Sequence, residues 1–586
     1  MKKIVIAIAI IVALVAGVLF FKQQNGSGGE SFISSIKKKS SGDSENFEAL
    51  LNYVPNDTAY LFGNREAVPE AYMNRQIERA ETIVKSFTKI LAEENKDKNS
   101  TGIEFISNYY ESFVSAYKSN NLESMGYTKE QRFVLYGYNS YPVIRAEIVD
   151  NKAFINSINT IAKKSNLPVK WEKCGAYECL KSEDTSDLGL SFIVKEKSIV
   201  LSLYSKAEKE KVTPHLMQAE ATPNHYSMKN FNSFLQKNNF QGFGDGFINL
   251  EKLTTLLLAE TSSKLSGNEK ASFEKCAPIA DDIAKKIPSI AIGSTELSTK
   301  QMRMLMIFNM DGNLTHSLKD LTNKNLFTER VANPLFDLGI NLNANGLSRA
   351  IMDFANYMGA EAEKYGCSEI DAKGLRQGAA MASMSIGMSI GQVSEIYLAI
   401  NELEMDAKGE MPSKVSANVQ IGAENPASLL QMLKMFVPPL AQLNIPNTGE
   451  EIDLLKVLPQ PAPPFIKEFT ASMKEKTINL RVGEKVKMEP FTPKEHTLLW
   501  AKIDNQKYYK MLSMVMETSQ KIQQSSLQQM PEEEAKEYKK VLNEMEENNK
   551  KAQKLIEALY EIDVISSQSV YVDDRGLIIE FIQQEK

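Results

Sequence analysis

The polarity of this chain changes character along its length, and each change predicts a different kind of element. Ile4 to Phe21 is an unbroken apolar run without a charge, introduced by Met1, Lys2 and Lys3. At about 1.5 Å per residue, a run of roughly 18 just crosses a hydrocarbon core and exceeds what a cleaved signal peptide needs. Residues 4–21 are therefore expected to span a membrane as a signal anchor. The small residues at Val15-Ala16-Gly17 and Gly26-Ser27-Gly28 make poor cleavage sites, the first being followed by more apolar residues and the second lying well past the run. Lys22 to Asn46 is rich in Gly, Ser and Lys and too polar to bury, which predicts a flexible tether.

Beyond the tether, period-two alternation repeatedly gives way to apolar spacings of three and four. IRAEIVDNKAFINSINTIAKK, GFINLEKLTTLLLAE, MLMIFNMDGNLTHSLKDL, SANVQIGAENPASLLQMLKMF and LLWAKIDNQKYYKMLSMV all show this change. At the change stand Asp150, Asn249, Asp311, Asn425 and Asp504, whose side-chain oxygens can accept from the free N–H groups of a first helical turn. A further strand-like segment precedes many of these units with only a short link. Short links favour antiparallel hairpins, because parallel neighbours need a crossover of a dozen or more residues. The C-terminal part predicts helices over Asn505 to Gln529 and Glu532 to Tyr560, forming a helical hairpin, then a β-hairpin.

The expected fold class is α+β, with repeated strand-strand-helix units making antiparallel sheets that helices cover on one face. The expected divisions are 1–21 anchor, 22–46 linker, 47–245 first lobe, 246–490 second lobe with a Pro-rich loop at 437–466, and 491–586 C-terminal strand, helical hairpin and β-hairpin.

Composition narrows the function by exclusion. A formal net charge of −6 and the absence of a basic face interleaved with aromatics argue against nucleic acid. The chain lacks G-x-x-x-x-G-K-S/T, and GFGDGF has the wrong glycine spacing for a dinucleotide, so no nucleotide or other cofactor is expected. His215, His225, His316 and His496 have no paired ligand spacing, so no metal site is expected. Cys174 and Cys179 flank the centre of a hairpin-like segment with a spacing that lets a disulfide close, leaving Cys276 and Cys367 as a distant second pair, although three pairings are formally possible. Such bridges fit an oxidising compartment.

GMSIG, Gly387 to Gly391, matches the G-x-S-x-G nucleophile elbow with Ser389 as nucleophile, and Asp453 and His496 follow in hydrolase order. That chemistry requires Ser389 on a sharp strand-to-helix turn, whereas QVSEIYLAINELEM downstream alternates like a strand. The abundance of Gly, Ser and Met in AAMASMSIGMSIG predicts instead a close-packed small-residue strand. Val437 to Ile466 combines prolines with Leu440, Leu443, Ile445, Leu454, Leu455, Leu458 and Phe465, a set expected to line a binding loop.

The segment NYVPNDTAYLFGN, with Val54 to Tyr60 at its centre, resembles the start of the exported domain in a group of bacterial envelope proteins that open on V-P-x-D-T and an aromatic strand. The resemblance implies a single-pass protein of the bacterial inner membrane with its large domain in the periplasm; it carries no catalytic residue. Together these features predict a non-catalytic, membrane-anchored protein that binds an envelope partner protein or a lipid-like apolar ligand. An envelope serine hydrolase using Ser389 and a purely structural tether are the alternatives.

Overall fold

A computed structural model describes residues 43–66, 101–128, 132–138, 141–174, 177–182, 188–195, 197–205, 224–298, 300–323, 327–405, 412–436, 444–456, 463–528 and 564–586, with Gln553 and Ile556. The 4–21 run, most of the tether and nearly all of Glu532 to Tyr560 lie outside these residues. Among the described residues no helix is long and apolar enough to cross a membrane.

The elements follow in chain order. The first stretch holds α1 (Asp43–Leu51), β1 (Tyr60–Asn64), α2 (Thr101–Lys118), β2 (Phe133–Tyr138), β3 (Tyr141–Glu147) and α3 (Asn151–Lys164). Four strands come next, β4 (Val169–Cys174), β5 (Tyr177–Ser182), β6 (Leu188–Lys195) and β7 (Ser198–Ser205). The chain continues with α4 (Met228–Asn238), β8 (Phe243–Asn249), α5 (Leu250–Lys264), α6 (Gly267–Lys286), β9 (Ser289–Leu297), β10 (Gln301–Asn309) and α7 (Gly312–Lys319). Then come β11 (Glu329–Val331), β12 (Phe336–Asn341), α8 (Ala344–Tyr365), α9 (Ala372–Ile390), β13 (Val393–Met405), β14 (Pro412–Ala423) and α10 (Pro426–Phe436). The last are β15 (Ile452–Asp453), β16 (Phe469–Lys474), β17 (Thr477–Val482), β18 (Met488–Pro490), β19 (Thr497–Asp504), α11 (Asn505–Gln528), β20 (Val564–Asp573) and β21 (Gly576–Glu585).

The chain is thus α+β with antiparallel sheets, as its alternation predicts. All five expected capping residues cap. Asp150 accepts from the N–H groups of Lys152 and Ala153, Asn249 from Lys252, Asp311 from Leu314, Asn425 from Ser428 and Asp504 from Lys507.

The repeating motif is longer than strand-strand-helix. A lead strand runs into helical chain and is followed by two antiparallel strands; β8, α5, α6, β9 and β10 make one instance, and β12, α8, α9, β13 and β14 make another. The lead strand pairs with the first of the two that follow, as β1 does with β2, β8 with β9, β12 with β13 and β19 with β20.

Two compact units result, the first reaching Glu260 and including Pro288–Met306, the second formed by Thr261–Ile287 and Ile307–Gln584. This partition differs from the expected lobes 47–245, 246–490 and 491–586. The physical reason is that lead strands pair with each other. In the first unit β1 lies antiparallel to β8, and in the second β12 lies antiparallel to β19, which joins the C-terminal strands to those before them. Each unit then extends from its third strand, through β3–β7 in one and β14–β17 in the other.

A second correction concerns AAMASMSIGMSIG, which is helical as part of α9 rather than a strand. Asp371 caps that helix by accepting from the Gly374 N–H, and the alanine- and methionine-rich stretch that follows has high helix propensity. Along α8, Ala355, Gly359 and Ala362 are buried, and Arg376 of α9 lies across Gly359. Ser348 and Ser383 each donate their hydroxyl to the other's carbonyl, tying the two helices together.

Both expected disulfides are present. Cys174–Cys179 bridges β4 and β5 near the hairpin turn, and Cys276–Cys367 ties α6 to the end of α8, where Ile279 and Ala362 pack beside it. The second closes a sequence separation of 91 residues, so it removes far more freedom from the unfolded chain than the first. Chain-entropy arguments place that effect at about 4.6 kcal/mol. Replacing Cys276 and Cys367 by serine together is expected to lower the denaturant midpoint of the second unit's unfolding by that amount of stability. The corresponding Cys174 and Cys179 pair should cost distinctly less, as read from the same urea titration.

Candidate apolar binding face

In a pleated strand successive side chains point to opposite faces, so the strand register decides which residues share a surface. In the second unit Asn341, Gly339 and Asp337 of β12 lie opposite Glu395, Tyr397 and Ala399 of β13, while Gly339 and Asp337 also lie opposite Trp500 and Lys502 of β19. Every one of these residues is buried. The polar side of the sheet is therefore the closed one.

The reason lies in what covers it. Residues 321–323 and 327–335 cross this face largely without secondary structure, and buried backbone groups need partners. The sheet supplies them. Asn341 takes both the N–H and the carbonyl of Asn323, Glu395 accepts from the Phe327 N–H, Tyr397 accepts from the Val331 N–H, and the Lys502 ammonium donates to the Ala332 carbonyl. Lys502 and Arg330 both reach Glu489 of β18, which pairs with β11 to form a short ribbon. Phe327, Val331, Tyr397, Ala399 and Trp500 fill the apolar space under this strap. The Trp500 indole lies directly over Gly339, where a Cβ would overlap Cε2.

Asp337 sits at the centre of this face. It accepts a 3.2 Å hydrogen bond from the Tyr397 hydroxyl through Oδ2, while Oδ1 takes no hydrogen bond from the protein. Burial pushes its carboxyl up to about 6, against the lowering pull of Arg330, Lys502 and the Tyr397 hydroxyl. The Tyr397 hydroxyl is itself raised, by burial first and by the Asp337 charge second.

The opposite face has the reverse character. Phe336, Leu338 and Ile340 of β12 stand opposite Ile400, Leu398 and Ile396 of β13, and on β19 they meet Ile503, Ala501 and Leu499. Ala417, Val419 and Ile421 of β14 continue the surface. Not one of these twelve positions carries a charge or a polar side chain. At one end α10 covers the face through a cluster of Leu429, Leu430, Ala423, Ala471, Met473 and Ile478. At the other, α11 lies against β13, β19 and β20, with Asn505 hydrogen-bonded to Ser566. The cross-strand pair Ile340 and Ile396 is left 37% and 39% exposed. An aliphatic pair open in a charge-free sheet face, with the charges buried behind it, is the feature that points to an apolar ligand.

The residues expected to form sites fall elsewhere. Ser389 lies at the C-terminal end of α9, ahead of β13, so its connection runs helix to strand, the reverse of a nucleophile elbow. Asp453 accepts from the Leu455 N–H and pairs with Lys456. His496 has a left-handed backbone and shares a 3.0 Å hydrogen bond with Thr322. These contacts do not link Asp453 to His496.

In the Pro-rich segment Leu440, Leu443 and Leu458 lie outside the described residues. Ile445 and Leu454 fold into the α10 cluster as buried core, and Leu455 and Phe465 are partly exposed. The described part of the loop thus contributes cover, because Ile445 and Leu454 pack on Ala471 and Met473 of β16 and Ile478 of β17. Alternation in FDLGIN, VSEIYLAI and TLLWAKID was the signal for the aliphatic face, but only register shows that the three phases coincide. Among the described residues no group of His, Cys, Asp and Glu is placed to hold a metal ion.

No protein-family model, curated protein or solved structure matches this chain.

Folding raises the Asp337 carboxyl from its ordinary 3.8 to about 6. The folded state therefore binds more protons than the unfolded one between those values, and this group's contribution to stability falls as pH rises through that window. It stays at its lowest above the folded value. The shift corresponds to roughly 3 kcal/mol at most. Asp337→Asn is expected to flatten the difference between urea stabilities measured at pH 4 and pH 7, with the variant at least as stable as wild type at pH 7. An unchanged pH slope would show that Asp337 does not titrate in this way.

Proposed function

We propose that this chain is a non-catalytic, membrane-tethered binding protein of the bacterial envelope, and that its second unit takes up a lipid-like apolar ligand on the aliphatic face. The observation that carries the proposal is the charge-free surface of β12, β13, β14 and β19, open at Ile340 and Ile396 between two helical covers. An antiparallel sheet normally turns its apolar face to the core and its polar face outward. Here the polar face is committed to the strap of Asn323 and residues 327–335, so the aliphatic one is the face available to an occupant.

The anchor read from Ile4 to Phe21 supports the same reading, since it would hold the domain at a source of acyl chains. The mechanism is tethered capture: a flexible connection keeps the local concentration of bilayer lipid high, and burial of aliphatic surface supplies the affinity. No bond is made or broken. Ser389 sits on no elbow, and Asp453 and His496 are engaged with other partners, which removes the support for hydrolysis.

The test is native mass spectrometry of the full chain in a detergent that can be stripped in the gas phase, with organic extraction of the same preparation. A reproducible added mass recovered as lipid is the expected result. Ile340→Asp with Ile396→Asp should abolish it, and because the two positions lie directly opposite each other, thermal melting checks that the variant folds. A wild-type chain of apo mass, or a lipid mass unaffected by the double substitution, would refute the assignment.

A further inference from the structure

The two units share one topology, and the equivalence extends to the phase of their pleats. In the first unit, as in the second, two lead strands pair with each other, each is flanked by its following strand, and the third strand of the leading repeat passes to an extension, β3 to β7. Its closed face carries Leu61, Gly63, Tyr136, Arg145, Asp245 and Phe247 under α1 and α4, where Phe47 stacks near Phe231 and Phe234 meets Phe247. Charge is again confined to the covered side. Arg145 donates to the Tyr136 hydroxyl and lies 3.8 Å over the Tyr53 ring, and Asp245 accepts from the N–H groups of Gly242 and Ser294.

The other face of this unit repeats the aliphatic pattern. Phe62 lies opposite Leu135, Leu135 opposite Ile144, Ile248 opposite Ile290, and Ile292 opposite Gly246. Phe62, Ile144, Ile248, Ile290 and Ile292 are only partly buried. As with α10 in the second unit, helices cover the extension end: α2 and α3 pack over β3, β6 and β7 through Phe154, Ile158, Phe192 and Ile199. The same chemistry at the same topological place argues for the same kind of occupant.

We infer that the first unit carries a second, equivalent acyl-chain site, on the aliphatic face of β1, β2, β8 and β9, and that its occupant is a bilayer lipid. This rests on the reading of the second unit given above. The source is argued from the chain preceding the first unit. The polar stretch that begins at Lys22 ends at α1, which packs on this unit's closed face. A flexible linker of roughly 20 residues has a root-mean-square span of about 25 Å, short enough to hold the first unit beside the bilayer in which Ile4 to Phe21 is read as lying.

The experiment places the full chain in phosphatidylethanolamine vesicles containing a fraction of lipid with a diazirine on its acyl chain, irradiates, and maps adducts by peptide sequencing. Adducts are expected on peptides of β8 and β9 as well as those of β12 and β13. Ile292→Asp should lower the first set by about tenfold or more, since a charge on this face would have to be buried with the lipid, and should leave the second set unchanged. Ile396→Asp should do the reverse. The wild-type map locates the sites without any substitution, and thermal melting of each variant identifies one that fails to fold.

Adducts confined to β12 and β13 would overturn the second site and leave the first reading standing. Adducts on neither unit would overturn both. Adducts on the first unit that survive Ile292→Asp in a folded variant would overturn the placement on this face.

Discussion

The antiparallel register of β12 against β13 and β19 is the constraint on which the second unit depends. It brings Asp337, Glu395, Tyr397 and Lys502 to one side and a row of aliphatic side chains to the other. Because the side-chain period of a strand is two, a slip of one residue in β12 would exchange Asp337 for Leu338 beneath the strap. The Tyr397 hydroxyl, which receives the Val331 N–H of the strap, would lose its acceptor, and a carboxylate would enter a surface otherwise free of charge. Gly339 reinforces the register, since only a residue without a Cβ leaves room for the Trp500 indole opposite it.

Much of the local structure was legible in the chain. Asp150, Asn249, Asp311, Asn425 and Asp504 each marked a helix start because capping is a short-range chemical requirement that composition alone satisfies. Cys174 and Cys179 were legible for the same reason, being close in sequence on either side of a turn. The pairing of β12 with β19 was not, because it joins segments far apart in the chain and no local signal records it. That single long-range contact explains why the C-terminal strands belong to the second unit. The aliphatic face is hidden in the sequence for the same reason: each strand shows its own alternation, but only pairing reveals that three strands turn the same kind of side chain the same way. Ile445 and Leu454 misled in the opposite direction, since an apolar residue in a Pro-rich segment looks exposed until the surface it folds onto is known.

The two units solve one problem by different means. Each must cover a closed face that contains buried charge. In the first, α1 and α4 do so with aromatic side chains, and helices satisfy their own backbones. In the second, an irregular segment and the β11–β18 ribbon do so, and their backbone groups must be met by the sheet. The polar content of the second closed face follows from that choice of cover. Of its buried charges, Glu395 and Lys502 are partners of main chain, and Asp337 accepts from the Tyr397 hydroxyl that itself receives the Val331 N–H.

The Cys276–Cys367 bridge has a mechanical consequence when the chain is pulled by its ends. It encloses the end of α6, β9, β10, α7, β11, β12 and all of α8, a loop with a sequence separation of 91. At roughly 3.4 Å per extended residue, such a loop stores about 300 Å of contour. While the bridge is oxidised, tension applied through the termini bypasses this length, because the load passes through the sulfur pair. Stretching can peel the strands outside the loop, but β12 itself is shielded from the pull. The strand that sets the register thus lies within the length that the bridge takes out of the load path.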